Sequence, residues 1–230
     1  MTHRNTFGAF GSKTIELEAA LQGDTVDPRV FIDLAAASEA HDSLFYMGYG
    51  RIGRGGQFVQ AKFVAVTAND GVYRDDTTCT DVVLEATAPW VAEVTATHGI
   101  PKGTTVSLDA RHLTVPPEFT SRTGWHADHV TIVCASDVLP ADTAVGSVDL
   151  TLRDRLRHGY SLEARDKFVS DQLNQVSPNG FLESEALGGR VEVVPLQAGY
   201  NYLLGPSVQH CEASNMTDQP VERNFLRLGF

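Results

Sequence analysis

From Thr104 to the C-terminus the chain is a succession of short strand-like runs, and this pattern limits the fold more than any other feature. The runs are TTVSLDARHLTV, HADHVTIVCA, RVEVVPLQ, GYNYLLG, VQHCEAS and RNFLRLGF. Turn residues separate them, including Pro116, Pro117 and Gly199. A helical interruption is predicted for residues 147–175, which contain LTLRDRL and DKFVSDQL. Many short strands with few long helices predict a β-sandwich or jelly roll.

The first half of the chain supplies helices that we expect to pack outside this β core. Apolar spacing predicts one short helix at Ile15, Leu17 and Leu21 and another at Val30, Ile32, Leu34 and Ala35. A longer helix is predicted for residues 81–97, with Pro89 inside it and Gly99 as its stop signal. Residues 58–66 are predicted to form a strand. With 42% hydrophobic residues and no obvious linker, residues 1–230 are expected to form a single domain.

The composition excludes several classes of function. The formal net charge is -11 and no run of Lys and Arg occurs, which disfavours a nucleic-acid partner. No stretch of about 18 apolar residues is present to cross a bilayer, and no secretory signal is recognisable, so we expect a cytoplasmic protein without a membrane partner. Three cysteines without Cys-x-x-Cys spacing argue against a disulfide framework and a thiolate zinc site.

The stretch GWHADHV contains a His-x-Asp triplet that could hold a metal ion. Successive side chains of a strand point to opposite faces, so His126 and Asp128 share a face and His129 points away. On the later strand VQHCEAS, His210 shares a face with Glu212 and could complete a set of three ligands. The alternative is that the triplet arises by chance, because an isolated His is usually a surface residue or a satisfied core residue.

The types of these three residues indicate a particular metal chemistry. Two imidazoles and one carboxylate on one side of a metal leave the opposite positions open, as in non-haem Fe(II) oxygenases. A structural zinc site would normally be closed by four protein ligands, and the sequence offers no convincing fourth ligand.

Two arginines of the last strand share one face and point to an anion. Arg223 and Arg227 alternate with Leu226 and Leu228, so the arginines point into the barrel if the leucines pack on hydrophobic structure. A buried guanidinium without a partner is unfavourable, so an anion should receive it. Four residues of strand span roughly 13 Å, so the two arginines are expected to have different partners. The alternative is an exposed edge strand.

The C-terminal half resembles the double-stranded β-helix, or jelly roll, of the Fe(II)/2-oxoglutarate-dependent oxygenases. Residues 125–230 have a His-x-Asp, a distal His and a later Arg in the family's order, and residues 195–204 supply the glycine turn and apolar strand that precede the distal histidine. Tyr200 departs from the pattern, because many relatives have an acidic residue there.

This resemblance implies a function and a role for each candidate residue. It implies that His126, Asp128 and His210 hold Fe(II), and that 2-oxoglutarate, a cosubstrate with O2, pairs with Arg227 or Arg223. The Arg-x-x-Leu-Arg pattern favours Arg227. The expected reaction is hydroxylation of a small molecule, such as a free amino acid or a biosynthetic intermediate, with release of succinate and CO2.

Two other functions stay open, and several further residues could take part. One is a cupin-like metal dioxygenase or isomerase that does not use 2-oxoglutarate, and the other is a non-catalytic β-sandwich binding module. Arg111 and His112 lie on opposite faces of a strand, and either could approach a substrate. The glycine-rich residues 48–57 are interpreted as a flexible loop. The sequence does not indicate the oligomeric state.

Overall fold

Eleven strands and three α-helices form the part of the chain that the computed structural model describes, residues 21–67, 73–75, 77–118, 124–138, 144–148, 161–176, 191–211, 215 and 217–230. The strands are β1 (Leu21–Thr25), β2 (Ser43–Ile52), β3 (Phe58–Thr67), β4 (Tyr73–Asp75), β5 (Thr105–Val115), β6 (Ile132–Ser136), β7 (Ala144–Val148), β8 (Val191–Pro195), β9 (Tyr200–Leu204), β10 (Gln209–Cys211) and β11 (Val221–Gly229). The helices are α1 (Pro28–Ala40), α2 (Thr77–His98) and α3 (Leu162–Val176).

The strands form two antiparallel sheets. The large sheet has the order β1-β9-β6-β11-β5-β2-β3-β4, and the small sheet has the order β10-β7-β8. A bridge between His126 and His210 adds one more paired segment to the free side of β10. Among the described strands from β6 onward, consecutive strands alternate between the two sheets, except β7 and β8, which pair with each other in the small sheet and have α3 between them in sequence. This winding is the double-stranded β-helix, and the mainly β fold with flanking helices predicted from the sequence is confirmed.

Strand β11 lies inside the large sheet and separates two cores. It pairs with β5 on one side and β6 on the other, so it is not an edge strand. Leu226 and Leu228 are fully buried in the core that the large sheet forms with α1 and α2. The alternate residues Arg223 and Arg227 point to the opposite face, where the small sheet lies. The exposed-edge alternative is therefore wrong.

Most of the predicted helical segments that the structure describes are present, whereas Leu21, Ser147 and Val148 lie in strands. Helices α1 and α2 confirm the two predictions, and α2 continues through Pro89. The segment DKFVSDQL lies in α3, whereas LTLRDRL and residues 15–20 lie outside the described residues. Leu21, predicted to be helical, begins β1 instead, because its backbone pairs with Leu203 of β9.

Within the described part of the chain, none of the helices has both the length and the apolar character needed to span a bilayer.

Candidate metal centre

The two histidines of the candidate site are brought together by the backbone. The His126 N–H donates to the His210 carbonyl at 3.0 Å, and the His210 N–H donates to the His126 carbonyl at 2.9 Å. Residues paired directly across two antiparallel strands place their side chains next to each other on one face. The two imidazole rings accordingly lie 4.4 Å apart, centroid to centroid. A single bridge thus joins segments that are 84 residues apart in sequence.

The continuous strand predicted through HADHV is wrong. Only His126 forms a bridge, and the chain then turns, with His129 in the left-handed region at a φ of 59°. The His129 N–H donates to the Pro206 carbonyl at 2.9 Å, which holds this turn against the start of the β10 segment. The His129 side chain lies outside the His126 and His210 pair, with its Nδ1 3.5 Å from the Asp166 carboxylate of α3.

Asp128 completes a cluster of three donors. One donor atom from each of His126, Asp128 and His210 can be chosen so that all three lie within 4.8 Å of one another. The Asp128 Oδ2 lies 3.4 Å from the His210 Nε2, and the Asp128 Oδ1 lies 4.0 Å from the His126 Nε2. Metal ligands that bind at about 2.0–2.2 Å sit at similar mutual separations. The cluster could therefore hold a metal ion with little rearrangement.

Backbone carbonyls determine which nitrogen of each imidazole faces the cluster. The His126 Nδ1 lies 3.0 Å from the Gly124 carbonyl, and the His210 Nδ1 lies 3.0 Å from the Val208 carbonyl. A carbonyl oxygen can only accept, so each Nδ1 carries the proton and donates it. Each Nε2 is then the nitrogen that faces the Asp128 carboxylate, where it can hold either a proton donated to the carboxylate or a metal ion. The donor set fits a bound divalent metal.

The Asp128 carboxyl is held in its charged form. Burial alone would raise its pKa, but the hydrogen bond and charge of His210, together with Arg227, lower the pKa well below its usual range. Arg227 donates from Nη2 and Nε to Asp128 Oδ2 at 2.7 and 3.1 Å. Arg227, which the sequence favoured as the 2-oxoglutarate anchor, is thus engaged with a candidate metal ligand.

Arg223 lies deeper and farther along β11 from the cluster. Arg227 is opposite Cys134 in the middle of β6, whereas Arg223 lies beyond Phe225, which is opposite Ser136 at the end of β6. The Arg223 Nε donates to the Ser136 Oγ at 3.0 Å, and its guanidinium lies 4.9 Å from the centre of the Phe225 ring. Arg223 is 8% exposed, so a buried cation lies on the same wall as the cluster.

The cluster and the arginines line one cavity of about 280 Å³ between the two sheets. This volume is near the lower end of the roughly 300–1,000 Å³ typical of small-molecule sites. Apolar walls are supplied by Ile132, Leu196, Leu204 and Phe225. Cys134 also lines the cavity, but burial raises its pKa to about 12, so it is a neutral thiol and a poor metal donor.

Two further charged residues line the cavity, and only one of them was considered from the sequence. Arg111 was a candidate, whereas Asp109, which is 5% exposed, was missed. The two are separated by two positions on β5 and therefore share a face, a signal that the sequence already contained. Glu212, the other residue expected to share the His210 face, lies outside the described residues.

No protein-family model matches the chain, and no curated protein matches it. Several solved structures resemble it. EvdO2 from Micromonospora carbonacea var. aurantiaca, complexed with 2-oxoglutarate, is 15% identical with a TM-score of 0.43, covering 92% of this chain and 85% of that chain. IDO from Bacillus thuringiensis is 10% identical, covers 92% of each chain and has a TM-score of 0.43. AviO1 from Streptomyces viridochromogenes Tue57 is 13% identical, covers 92% and 89%, and has a TM-score of 0.42. These likenesses are distant, and nothing about the function of this chain follows from them.

Proposed function

We propose that this protein is an Fe(II)/2-oxoglutarate-dependent oxygenase that hydroxylates a small molecule and releases succinate and CO2. The observation that carries the proposal is the meeting of two imidazole Nε2 atoms and one carboxylate on the wall of a cavity that also contains a buried arginine. Two histidines and one carboxylate leave metal positions open for other ligands, which is the donor set of non-haem iron oxygenases.

The protein's own residues prepare the metal site. His126 and His210 have their Nδ1 protons committed to backbone carbonyls, so each Nε2 is directed to the metal. Asp128 supplies a negative charge, and Arg227 fixes the orientation of its carboxylate through Oδ2. In this role Arg227 acts through Asp128 as a positioning residue. It is then not the 2-oxoglutarate anchor that the sequence pattern favoured.

We assign Arg223 as the anchor of the cosubstrate. Bound Fe(II), with 2-oxoglutarate and O2, supplies the oxidising power for hydroxylation through oxidative decarboxylation of the cosubstrate. A dicarboxylate bound to the metal at one end would present its other carboxylate deeper in the cavity, and Arg223 is the buried cation farther along β11. A planar guanidinium pairs well with a carboxylate. Apolar side chains line the space between them.

Binding calorimetry under anaerobic conditions tests the proposal. Mn(II), a redox-stable substitute for Fe(II), should bind first, and 2-oxoglutarate should then bind only to the metal-loaded protein. Arg223→Gln should weaken 2-oxoglutarate binding by about 10- to 100-fold while leaving Mn(II) binding nearly unchanged, because one charge-assisted pair is lost. Arg227→Gln should weaken Mn(II) binding instead.

The outcomes separate the proposal from its alternatives. Metal binding without metal-dependent 2-oxoglutarate binding would favour a cupin-like metal dioxygenase or isomerase. Binding of neither ligand would favour a non-catalytic module. Succinate formation after addition of Fe(II), 2-oxoglutarate and air is the complementary measurement, since the cupin-like alternative does not produce it.

A further inference from the structure

Arg111 is held rigidly in the cavity by contacts that the proposed cosubstrate site does not require. Its Nη2 donates to Asp109 Oδ2 at 2.7 Å, and its Nε donates to Asp109 Oδ1 at 3.3 Å. Its guanidinium also lies 5.5 Å from the centre of the Phe45 ring and 5.7 Å from that of Phe225. An ion pair and two aromatic faces fix the position of this cation before any ligand binds.

The position of Arg111 suits contact with a second ligand. Arg111 is opposite Phe225 on β11 and Phe45 on β2, so it faces the cavity on the side of the large sheet away from β6. Its side chain remains 28% exposed, in contrast to the buried Arg223. In the proposed function, 2-oxoglutarate occupies the deep part of the cavity beside Arg223. The more exposed cation is therefore the one that the substrate meets.

The described lining of the cavity has more positive than negative side chains. Three arginines face two aspartates. A divalent metal adds two positive charges and 2-oxoglutarate removes two, so the positive excess of the described lining is unchanged. Such a lining favours an anion as the second ligand.

We propose that Arg111, braced by Asp109, Phe45 and Phe225, binds a carboxylate of the substrate, so that the substrate is a small organic acid or amino acid. This inference rests on the proposed function, because it takes the deep part of the cavity to be filled by 2-oxoglutarate. It goes further by naming the chemical group that is recognised and the residue that recognises it.

The test compares acids with their neutral amides. The proteinogenic amino acids and straight-chain carboxylic acids of three to six carbons are each added beside the matched primary amide, with Fe(II), 2-oxoglutarate and air. At least one acid should accelerate succinate formation, and its amide should not. Arg111→Gln should raise the KM for that acid by about 10- to 100-fold while the KM for 2-oxoglutarate stays within about twofold.

Two further variants keep the result interpretable. Arg111→Gln leaves the Asp109 carboxylate buried without this partner, so Asp109→Asn/Arg111→Gln is prepared as well, and thermal unfolding checks that each variant is folded. The matched control is Arg29→Gln, because Arg29 also pairs with an aspartate two residues away, Asp27, but on the exposed surface. Arg29→Gln should leave both KM values unchanged.

The results that overturn this inference differ from those that overturn the proposed function. If 2-oxoglutarate is consumed but no acid accelerates it, or an amide acts as well as its acid, Arg111 is not a carboxylate site. The same conclusion follows if Arg111→Gln changes the KM for 2-oxoglutarate instead. If 2-oxoglutarate does not bind at all, the proposed function fails. Calorimetric titration of the acids into Mn(II)-loaded wild type and Mn(II)-loaded Arg111→Gln then tests the inference about Arg111. Loss of acid binding in the variant supports this inference, and equal or absent binding overturns it.

Discussion

At the scale of single residues, the side chains around the candidate centre have distinct geometric roles despite their proximity in sequence. His126, Asp128 and His129 are nearly consecutive, yet the first two face the cavity and the third contacts Asp166 of α3. The difference arises because the chain turns at His129, where φ is 59°. Proximity in sequence to a ligand is therefore a poor guide to metal binding in this segment.

Substitution of the histidines gives the first prediction. His210→Ala should weaken Mn(II) binding by at least about 100-fold, because one of three metal donors is removed. His129→Ala should change it by less than about tenfold, because this side chain supports the loop and offers no donor to the cluster. Calorimetric titration of the two variants measures both effects. Equal losses in the two variants would contradict the assignment of the ligands.

A glycine two residues before the first histidine is required for two separable reasons. Gly124 has a φ of 62°, which favours glycine, and a Cβ at this position would lie 2.5 Å from the Asn174 Oδ1. Gly99 has the same φ of 62° but has no atom within 4 Å of such a Cβ. A substitution at Gly99 therefore measures the cost of the backbone strain without the steric contact.

The second prediction follows from this pair. Gly99→Ala should lower the free energy of unfolding by about 1 kcal/mol, since only the left-handed backbone is strained. Gly124→Ala should lower it by roughly 2–3 kcal/mol, because Asn174 must also move away. Urea denaturation of both variants gives the two values. A Gly124→Ala effect no larger than that of Gly99→Ala would show that Asn174 adapts without loss.

The sequence predicted which way the candidate side chains point better than it predicted their hydrogen-bond partners. The His-x-Asp spacing and the alternation along β11 correctly indicated that His126 and Asp128 share a direction and that Arg223 and Arg227 face inward. The bond between Arg227 and Asp128 was not predictable, because it joins residues 99 positions apart and depends on how closely the turn approaches β11. Alternation specifies a face, but it does not specify which group on that face is within hydrogen-bonding distance.

At the scale of elements, helix α3 is the support that the sequence did not reveal. Asn174 exchanges hydrogen bonds with the backbone of Trp125, at 2.7 Å to its N–H and 3.1 Å to its carbonyl. Ser170 donates to the side chain of Gln209 at 2.6 Å. Trp125 precedes His126 and Gln209 precedes His210, so one helix contacts the neighbour of each histidine. The helix thus holds the two segments of the candidate metal site in one arrangement.

The third prediction tests this support. Asn174→Ala should weaken Mn(II) binding by about 10-fold, because outer contacts that orient metal ligands commonly contribute 10- to 100-fold to affinity. Lys167→Ala is the matched control on the same helix, since Lys167 pairs with Asp171 on the exposed side. The control should leave Mn(II) affinity unchanged. If both variants bind Mn(II) like the wild type, α3 packs against the site without orienting it.

Glycine-rich residues 48–57 show where element prediction from composition was wrong. The segment is not a flexible loop, because Gly48 and Gly50 lie within β2 and a tight turn leads into β3. A Cβ at Gly48 would lie 2.1 Å from the Lys62 carbonyl of β3. These glycines permit close approach of two strands. Composition alone does not distinguish close packing from flexibility.

At the scale of the whole molecule, the candidate site joins the two sheets. The small sheet and its bridge provide His126 and His210, and the large sheet provides Arg227, with Asp128 between them. The chain carries a formal net charge of -11, whereas the described lining of the cavity has more arginines than aspartates. The described lining is thus positive within an acidic protein, which favours entry of small anions over nonspecific binding of polyanions.

The contact between the sheets predicts how stability depends on pH in the metal-free protein. Burial alone would raise the pKa of Asp128. The hydrogen bond and charge of His210, together with Arg227, outweigh burial and lower this pKa from its usual 3.8. A carboxyl whose folded-state pKa is depressed contributes stability that is fully present above the unfolded value and is lost as pH falls toward the folded value. The contribution of Asp128 should therefore be complete at pH 7 and decline below about pH 4.

Comparison of the wild type with Asp128→Asn, both in a chelator, measures this contribution. The variant has no titrating group at this position, so its deficit in unfolding free energy should be largest near neutral pH and should shrink as the pH is lowered below 4. Arg227→Gln should show a smaller change with pH than the wild type in the same range, because the ion pair that lowers the Asp128 pKa is broken. A deficit that is constant from pH 7 to pH 3 would mean that the connection between the two sheets at this site does not depend on the charge of Asp128.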